Sequence, residues 1–220
     1  MISNQFQFQN LKRIKGIIFD LDGTLTVPCM NFQILRERLG ISQGIDVLRE
    51  IKKWDTVENK RAHKIIYEFE LEARNIMQIQ SGTINLLEFM EQNKLLKAIH
   101  SRNSLENIKY FVDHVKPYKF DHLVGRDESV EPKPHPSGSH EISKNLNLQP
   151  DQFLFVGDSI DDVTTSKSFG SISCLLLNET NRKHATSADF SVESFTELQN
   201  LLREHLVCNN TSSINVNSKQ

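Results

Sequence analysis

The chain has 220 residues, 38% hydrophobic and 25% charged, enough for one large globular domain or one domain with a small insert. Its net charge of -2 and its lack of like-charge blocks argue against a nucleic-acid surface or a polyanionic arm. No stretch approaches the ~20 apolar residues that span a bilayer, and Cys29, Cys174 and Cys208 are too scattered for a disulfide framework or a zinc site.

The first residues, MISNQFQFQNLKRIKG, lack the apolar core of a secretory signal. They are acid-poor and carry three basic residues, a faint likeness to a transit peptide, but they are short before the first strand. A reducing, cytoplasmic location is expected. Gly16–Phe19 then reads as a buried strand, and it ends abruptly in Asp20, Leu21, Asp22, Gly23 and Thr24. Cys29 follows, read by default as an inert thiol.

Residues 31–81 show no convincing strand. Asp55-Thr56-Val57-Glu58 has the form of a capping box. Behind it, Ala62, Ile65, Ile66, Phe69, Ala73, Ile76 and Met77 recur at spacings of three and four, which predicts a long amphipathic helix. Its apolar stripe is expected to pack against neighbouring helices.

Leu95–His100 is the next strand, ending in Ser101, Arg102 and Asn103. A helix follows with Ser104 as N-cap and Leu105, Ile108, Phe111 and Val112 on one face. His122–Val124 is a short strand. EPKPHPSG then holds Lys133 between two prolines, in extended backbone. A helix is predicted from about Ser139 to Leu146, and Phe153–Val156 is a strand that again ends in acids, Asp158, Asp161 and Asp162. A helix after Ile160, a strand at Ile172–Leu177 and a helix at Phe195–Leu206 complete the alternation. Such alternation predicts a doubly wound, Rossmann-like α/β fold with a parallel sheet, and a small helical cap inserted after its first strand. The expected division is a core of 1–27 and 82–206, a cap of 28–81, and a disordered, asparagine-rich tail of 207–220. The sequon Asn210-Thr211-Ser212 in that tail is read as chance.

Asp20 and Asp22 do not suit an EF-hand, which needs glycine at its sixth position and glutamate at its twelfth. Counting from Asp20, the fourth residue is already Gly23 and the twelfth is Asn31. In parallel α/β sheets, ligands bind beyond the carboxyl ends of strands. A carboxylate there can attack phosphorus and form an aspartyl-phosphate. A second acid two residues on can protonate the leaving oxygen. Gly23 lets the backbone turn. Two acids facing an anionic phosphoryl group need a divalent cation and a basic side chain. Asp158 supplies a further hard oxygen, suited to magnesium. Lys133 supplies the positive charge, and Ser101 a hydroxyl that can donate to a phosphoryl oxygen. Each feature alone has a plain structural explanation, in a turn, a cap or a solvated loop. For Asp161 a helix-cap role is the default.

Taken together, DLDGTLT at Asp20–Thr26, the strand-end Ser101, Lys133 in KPHP and GDSIDD at Gly157–Asp162 resemble the four motifs of the haloacid dehalogenase superfamily, over about Lys15 to Leu177. The resemblance implies roles. Asp20 would be the nucleophile and a magnesium ligand, and Asp22 the general acid/base, with its backbone carbonyl on the metal. Ser101 and Lys133 would bind the phosphoryl group, with Arg102 and Asn103 beside them. Asp158 would be a further Mg2+ ligand. Asp162, or Asp161 nearby, would be an outer partner that orients the lysine. An acid at the position of Asp22 implies a phosphatase or phosphomutase rather than a dehalogenase or a P-type ATPase. The helical insert resembles a C1 cap, and its size implies a small phosphorylated metabolite as substrate, without nucleic-acid or membrane partners. The alternatives are a phosphomutase of a sugar phosphate and a non-catalytic binding protein on the same scaffold.

Overall fold

The computed structural model describes residues 10–206; the expected tail at 207–220 lies outside the described residues. Six strands form one parallel sheet: β1 (Gly16–Phe19), β2 (Leu96–His100), β3 (His122–Val124), β4 (Phe153–Gly157), β5 (Ile172–Leu176) and β6 (Phe190–Val192). Their order is β3-β2-β1-β4-β5-β6, so the winding reverses direction between β1 and β4. Helices α4 (Thr83–Gln92), α5 (Leu105–His114), α6 (Ser137–Leu146), α7 (Ile160–Phe169) and α8 (Phe195–Leu206) accompany the strands. This is the α/β sheet the alternation predicts.

The side-chain period of two divides the sheet between two cores. Ile17, Phe19, Leu154 and Val156 face one cluster, with Leu86, Phe111 and Phe195. Ile18, Phe153 and Phe155 face the other, with Ile142 and Phe169. Strands buried on both faces need apolar side chains at every position, which is why β1 and β4 read as continuous apolar runs. Register then fixes the edge. Phe19 pairs with Ile99 of β2 and with Val156 of β4, so the three strands end within one residue of the same level.

Between β1 and α4 lie α1 (Phe32–Leu39), α2 (Val47–Ile51) and α3 (Thr56–Arg74). Each begins at a polar cap. The side chains of Asn31, Asp46 and Asp55 accept from backbone amides of their first turns. Asp55 takes the amides of Val57 and Glu58 at 2.8 and 3.0 Å, the N-cap half of the expected capping box, which no bond from Glu58 back to the Asp55 amide completes. These helices enclose their own cluster, with Leu35, Leu39, Val47, Ile51, Ile66 and Phe69 at its centre.

The long helix ends earlier than its apolar spacing predicts. It stops at Arg74, and Ile76 is 60% exposed. The chain instead turns back to pair with the exit of the first motif. Val27 N donates to Gln78 O, Gln80 N donates to Leu25 O, and Thr26 bridges Ile79. Backbone hydrogen bonds across this junction outweigh the helical spacing of Ile76 and Met77. Other elements also differ from expectation: α1, α2, α4 and β6 are additional, and α6 begins at Ser137 rather than Ser139.

Candidate active site

The nearly level ends of β1, β2 and β4 bring four separate stretches of sequence together. Asp20 follows β1, Ser101 follows β2 and Asp158 follows β4, while Lys133 enters from the loop before α6. Lys133 is buried, and its Nζ donates to Asp20 Oδ1 and to Asp162 Oδ1, both at 2.6 Å. Burial alone pulls a lysine's pKa down; here Asp162 and Asp20 outweigh it and hold the ammonium firmly charged.

One lysine does not neutralise this many acids. Burial first, and then Asp162, lift Asp20 to about 6 against the opposing pull of Lys133. Burial, with Asp20 and Asp162, lifts Asp158 to about 7. Asp22 is pushed well above the usual carboxylate range by burial, then by Asp20 and Glu70. Asn103 Nδ2 donates to Asp22 Oδ2, and Asn107 Nδ2 in turn donates to Asn103 Oδ1 at 2.9 Å.

The turn after Asp20 requires its glycine. Gly23 has φ +84, a left-handed conformation, and a Cβ there would sit 2.4 Å from Asp158 Oδ2. The backbone of the first motif therefore rests directly on the acid of the fourth. Gly157 plays the same part on β4, where a Cβ would meet Asp162.

Asp162 is almost fully buried at the third position of α7. Its Oδ2 accepts from Ser159 N and Ser159 Oγ, while its amide donates back to Ser159 Oγ. Ser159, not Asp161, is the N-cap, because its side chain reaches the amide of Asp162 and Asp161 lies inside the first turn. Asp161 instead accepts from Arg102 Nη1 at 3.0 Å. The other end of Arg102 donates to Asp46 Oδ2 at 2.6 Å, reaching from the sheet edge to α2.

Ser101 Oγ accepts from Asn103 N at 3.1 Å, which shapes the loop after β2. Ser104 stands at the N-cap of α5 but makes no capping bond. Its hydroxyl instead donates to Glu70 Oε2, a buried carboxylate oxygen on α3, at 2.8 Å. Glu70 also accepts from Arg126, so a buried ion pair joins the insert to the loop after β3.

Asp20, Asp158 and Asp162 each place a carboxylate oxygen so that the three lie within 4.8 Å of one another. Both oxygens of Asp162 are already engaged, by Lys133 and Ser159. Asp20 and Asp158 are left as hard, closely spaced oxygen donors, with the charge of Asp20 helping to raise the pKa of Asp158, a donor set that fits Mg2+. The acids form the floor of a cavity of about 620 Å3 between the sheet edge and the insert.

Several residues at this site carry no obvious sequence signal. Asn178 Nδ2 donates to Asp158 Oδ2 at 3.2 Å and Asn181 Nδ2 to Asp158 O at 2.7 Å, both from the segment after β5. Their place just beyond a strand end was the available hint. Glu70 announces itself better: it is a charged residue beside Ile66, Phe69 and Ala73 on the buried stripe of α3.

Residues 14–170 match the family model for haloacid dehalogenase-like hydrolases. A haloacid dehalogenase-like hydrolase domain-containing protein of Arabidopsis thaliana is 31% identical, covering 90% of this chain and 87% of its own. An uncharacterized hydrolase of Saccharomyces cerevisiae is 34% identical over 89% of this chain and 94% of its own. Phosphoglycolate phosphatase 1 of Pseudomonas aeruginosa is 22% identical over 70% of this chain and 66% of its own. The fold is shared with β-phosphoglucomutase of Clostridium difficile, at a TM-score of 0.69 and 21% identity over 88% of this chain and 99% of that one. With its four motifs converging on one sheet edge, the chain belongs to the haloacid dehalogenase-like hydrolases.

Proposed function

We propose that the protein is a phosphatase of a small phosphorylated metabolite, with residues 28–81 acting as a cap over a core of 1–27 and 82–206. The observation that carries the reading is the contrast between two neighbouring acids. Asp20 is hydrogen-bonded to a charged Lys133, while Asp22 is driven toward its protonated form. A nucleophile and a general acid need these opposite states at the same pH.

In this mechanism a carboxylate oxygen of Asp20 attacks phosphorus, and the P–O bond to the leaving alcohol breaks. The proton of Asp22 passes to that alkoxide. Asp22, now a carboxylate, takes a proton from water; the water oxygen attacks phosphorus, and the bond to Asp20 breaks to release phosphate. Lys133 and Ser101 hold the phosphoryl oxygens, with Asn103 fixing Asp22. Asp162 and Ser159 keep Lys133 in place. Asp20 and Asp158, with the backbone carbonyl of Asp22, would hold Mg2+, which supplies charge neutralisation for the phosphoryl group. Relatives named as phosphoglycolate phosphatases support the reaction class.

A phosphomutase would use the same floor. It would also have to rebind a sugar in a second orientation, and the largely apolar roof offers little to hold a polyol.

Asp20→Asn keeps the shape of the nucleophile and removes its reactivity. Wild type should release phosphate from a panel of phosphomonoesters only with Mg2+, and Asp20→Asn should lose at least about a thousandfold in kcat. An Asp20→Asn enzyme as active as wild type would refute the assignment.

A further inference from the structure

The cavity has two unlike halves. Its floor is ionic. Its roof, from the insert, presents Met30, Phe32, Ile45, Leu48, Ile66 and Phe69. Phe32 and Ile45, 49% and 40% exposed, add apolar surface to this lining. A cavity of about 620 Å3 is within the size range of small-molecule sites, and it leaves room for a leaving group beyond the phosphoryl position.

Among the described residues, three of the four cations that line this space are paired with acids. Arg102 is shared between Asp46 and Asp161, Arg126 is paired with Glu70, and Lys133 is paired with Asp20 and Asp162. Arg36 of α1 is the exception among the described residues that line the cavity. Its Nη1 and Nη2 reach only the backbone oxygens of Phe32 and Ile45, at 3.3 and 3.4 Å. Its Nε is buried without a partner. A guanidinium has five N–H donors and a permanent charge, so it retains both donor capacity and charge for an incoming oxyanion.

We propose that Arg36 is a specificity-determining residue, and that the substrate is a phosphomonoester whose leaving alcohol has an apolar body ending in a second oxyanion. The reading rests on the phosphatase assignment above and extends it to a substrate class. The phosphoryl group lies on the acidic floor, the apolar body lies against Met30, Ile45 and Leu48, and the second oxyanion takes the open donors of Arg36. A sugar phosphate fits poorly, because the roof is largely apolar and its acids, Asp46 and Glu70, are held in ion pairs with Arg102 and Arg126. Carboxylate and phosphate share the chemistry Arg36 recognises, and the probes separate them.

Calorimetric titration of the Mg2+-loaded protein with phosphonates tests the proposal without turnover. Alkylphosphonates of increasing chain length are compared with the same chains ending in a carboxylate or in a second phosphonate. At one chain length the second oxyanion should tighten binding to wild type on the order of tenfold. Arg36→Gln should erase that gain and leave affinity for the plain alkylphosphonate within about twofold; a merely structural arginine would weaken all probes alike. The larger gain, with carboxylate or with phosphonate, names the second group. The proposal is overturned if no probe binds wild type, if no chain length shows the gain, if the gain survives in Arg36→Gln, or if glucose 1-phosphate binds more tightly than the probes. Hydrolysis of the matching alkyl phosphates is measured in parallel. Selective binding without hydrolysis would reject the phosphatase reading and keep Arg36; hydrolysis without the gain would do the reverse.

Discussion

The floor and the roof of the cavity are held in opposite ways. On the floor, strand register and buried hydrogen bonds converge on Asp20, Lys133 and Asp162, inside a sheet whose two faces are both packed. The insert has its own small apolar centre and meets the sheet edge largely through polar links: Arg102 to Asp46, Arg126 to Glu70, and Arg74 to Asn107 and Glu106. Apolar burial is non-directional and resists separation, whereas the partly exposed pairs of Arg102 and Arg74 can exchange for water at modest net cost. On the proposed reading, the chemistry would sit on the rigid part, and the surface that meets the leaving group on the part more easily moved.

The sharpest way to break this comparison is on the floor. Lys133→Met removes two buried bonds and leaves Asp20 and Asp162 without their cation. The expected loss of stability is about 3–5 kcal/mol, read from urea unfolding at neutral pH. A loss under about 1 kcal/mol would mean that the floor does not depend on its lysine.

The link between floor and roof comes next. Glu70→Gln keeps the size of the side chain and removes the charge that meets Arg126. It should cost about 1–3 kcal/mol. Hydrogen exchange should quicken across Thr56–Arg74 while the amides of β1 and β4 keep their protection. Equal loosening of both regions would show that the insert and the sheet open as one unit.

The smallest effect is electrostatic. Asp20 and Asp158 stand at about 6 and about 7, above the ~3.9 of a free aspartate. An acid with a raised folded pKa contributes its full stability below the unfolded value and loses it as pH rises through the folded value. The metal-free protein should therefore weaken between about pH 4 and 7 through these two groups. Mg2+ should raise the melting temperature by a few degrees more at pH 8 than at pH 5. An equal shift at both pH values would separate metal binding from these two carboxylates.

Much of the floor was legible in the sequence because its signals are local. A doubly buried strand must be apolar at every position, so an acid at its end stands out, and Asp20 and Asp158 do so in the same way. The links to the insert were not legible. Ser104 has the composition of an N-cap, yet its hydroxyl turns to Glu70, thirty-four residues away in sequence. Nothing near Arg102 predicts that it bridges Asp46 and Asp161. Ile76 and Met77 continue a helical spacing that the backbone pairing at Gln78–Gln80 overrides. Such choices depend on which segments meet, and local periodicity carries no record of that. β6 escaped for a simpler reason: its three residues, Phe-Ser-Val, are interrupted by a serine and form no apolar run.

The backbone bonds that join Leu25 and Val27 to Gln78 and Gln80 have a consequence for how the chain can change. They clasp the entrance and exit of the insert side by side, so β1 and α4 are neighbours whatever length of chain is looped out between them. For a looped segment, doubling its length adds only about 0.6 kcal/mol of closure entropy. Lineages can therefore lengthen, shorten or exchange what lies beyond the clasp while the strands keep their alignment, and substrate range can drift while the reaction stays the same.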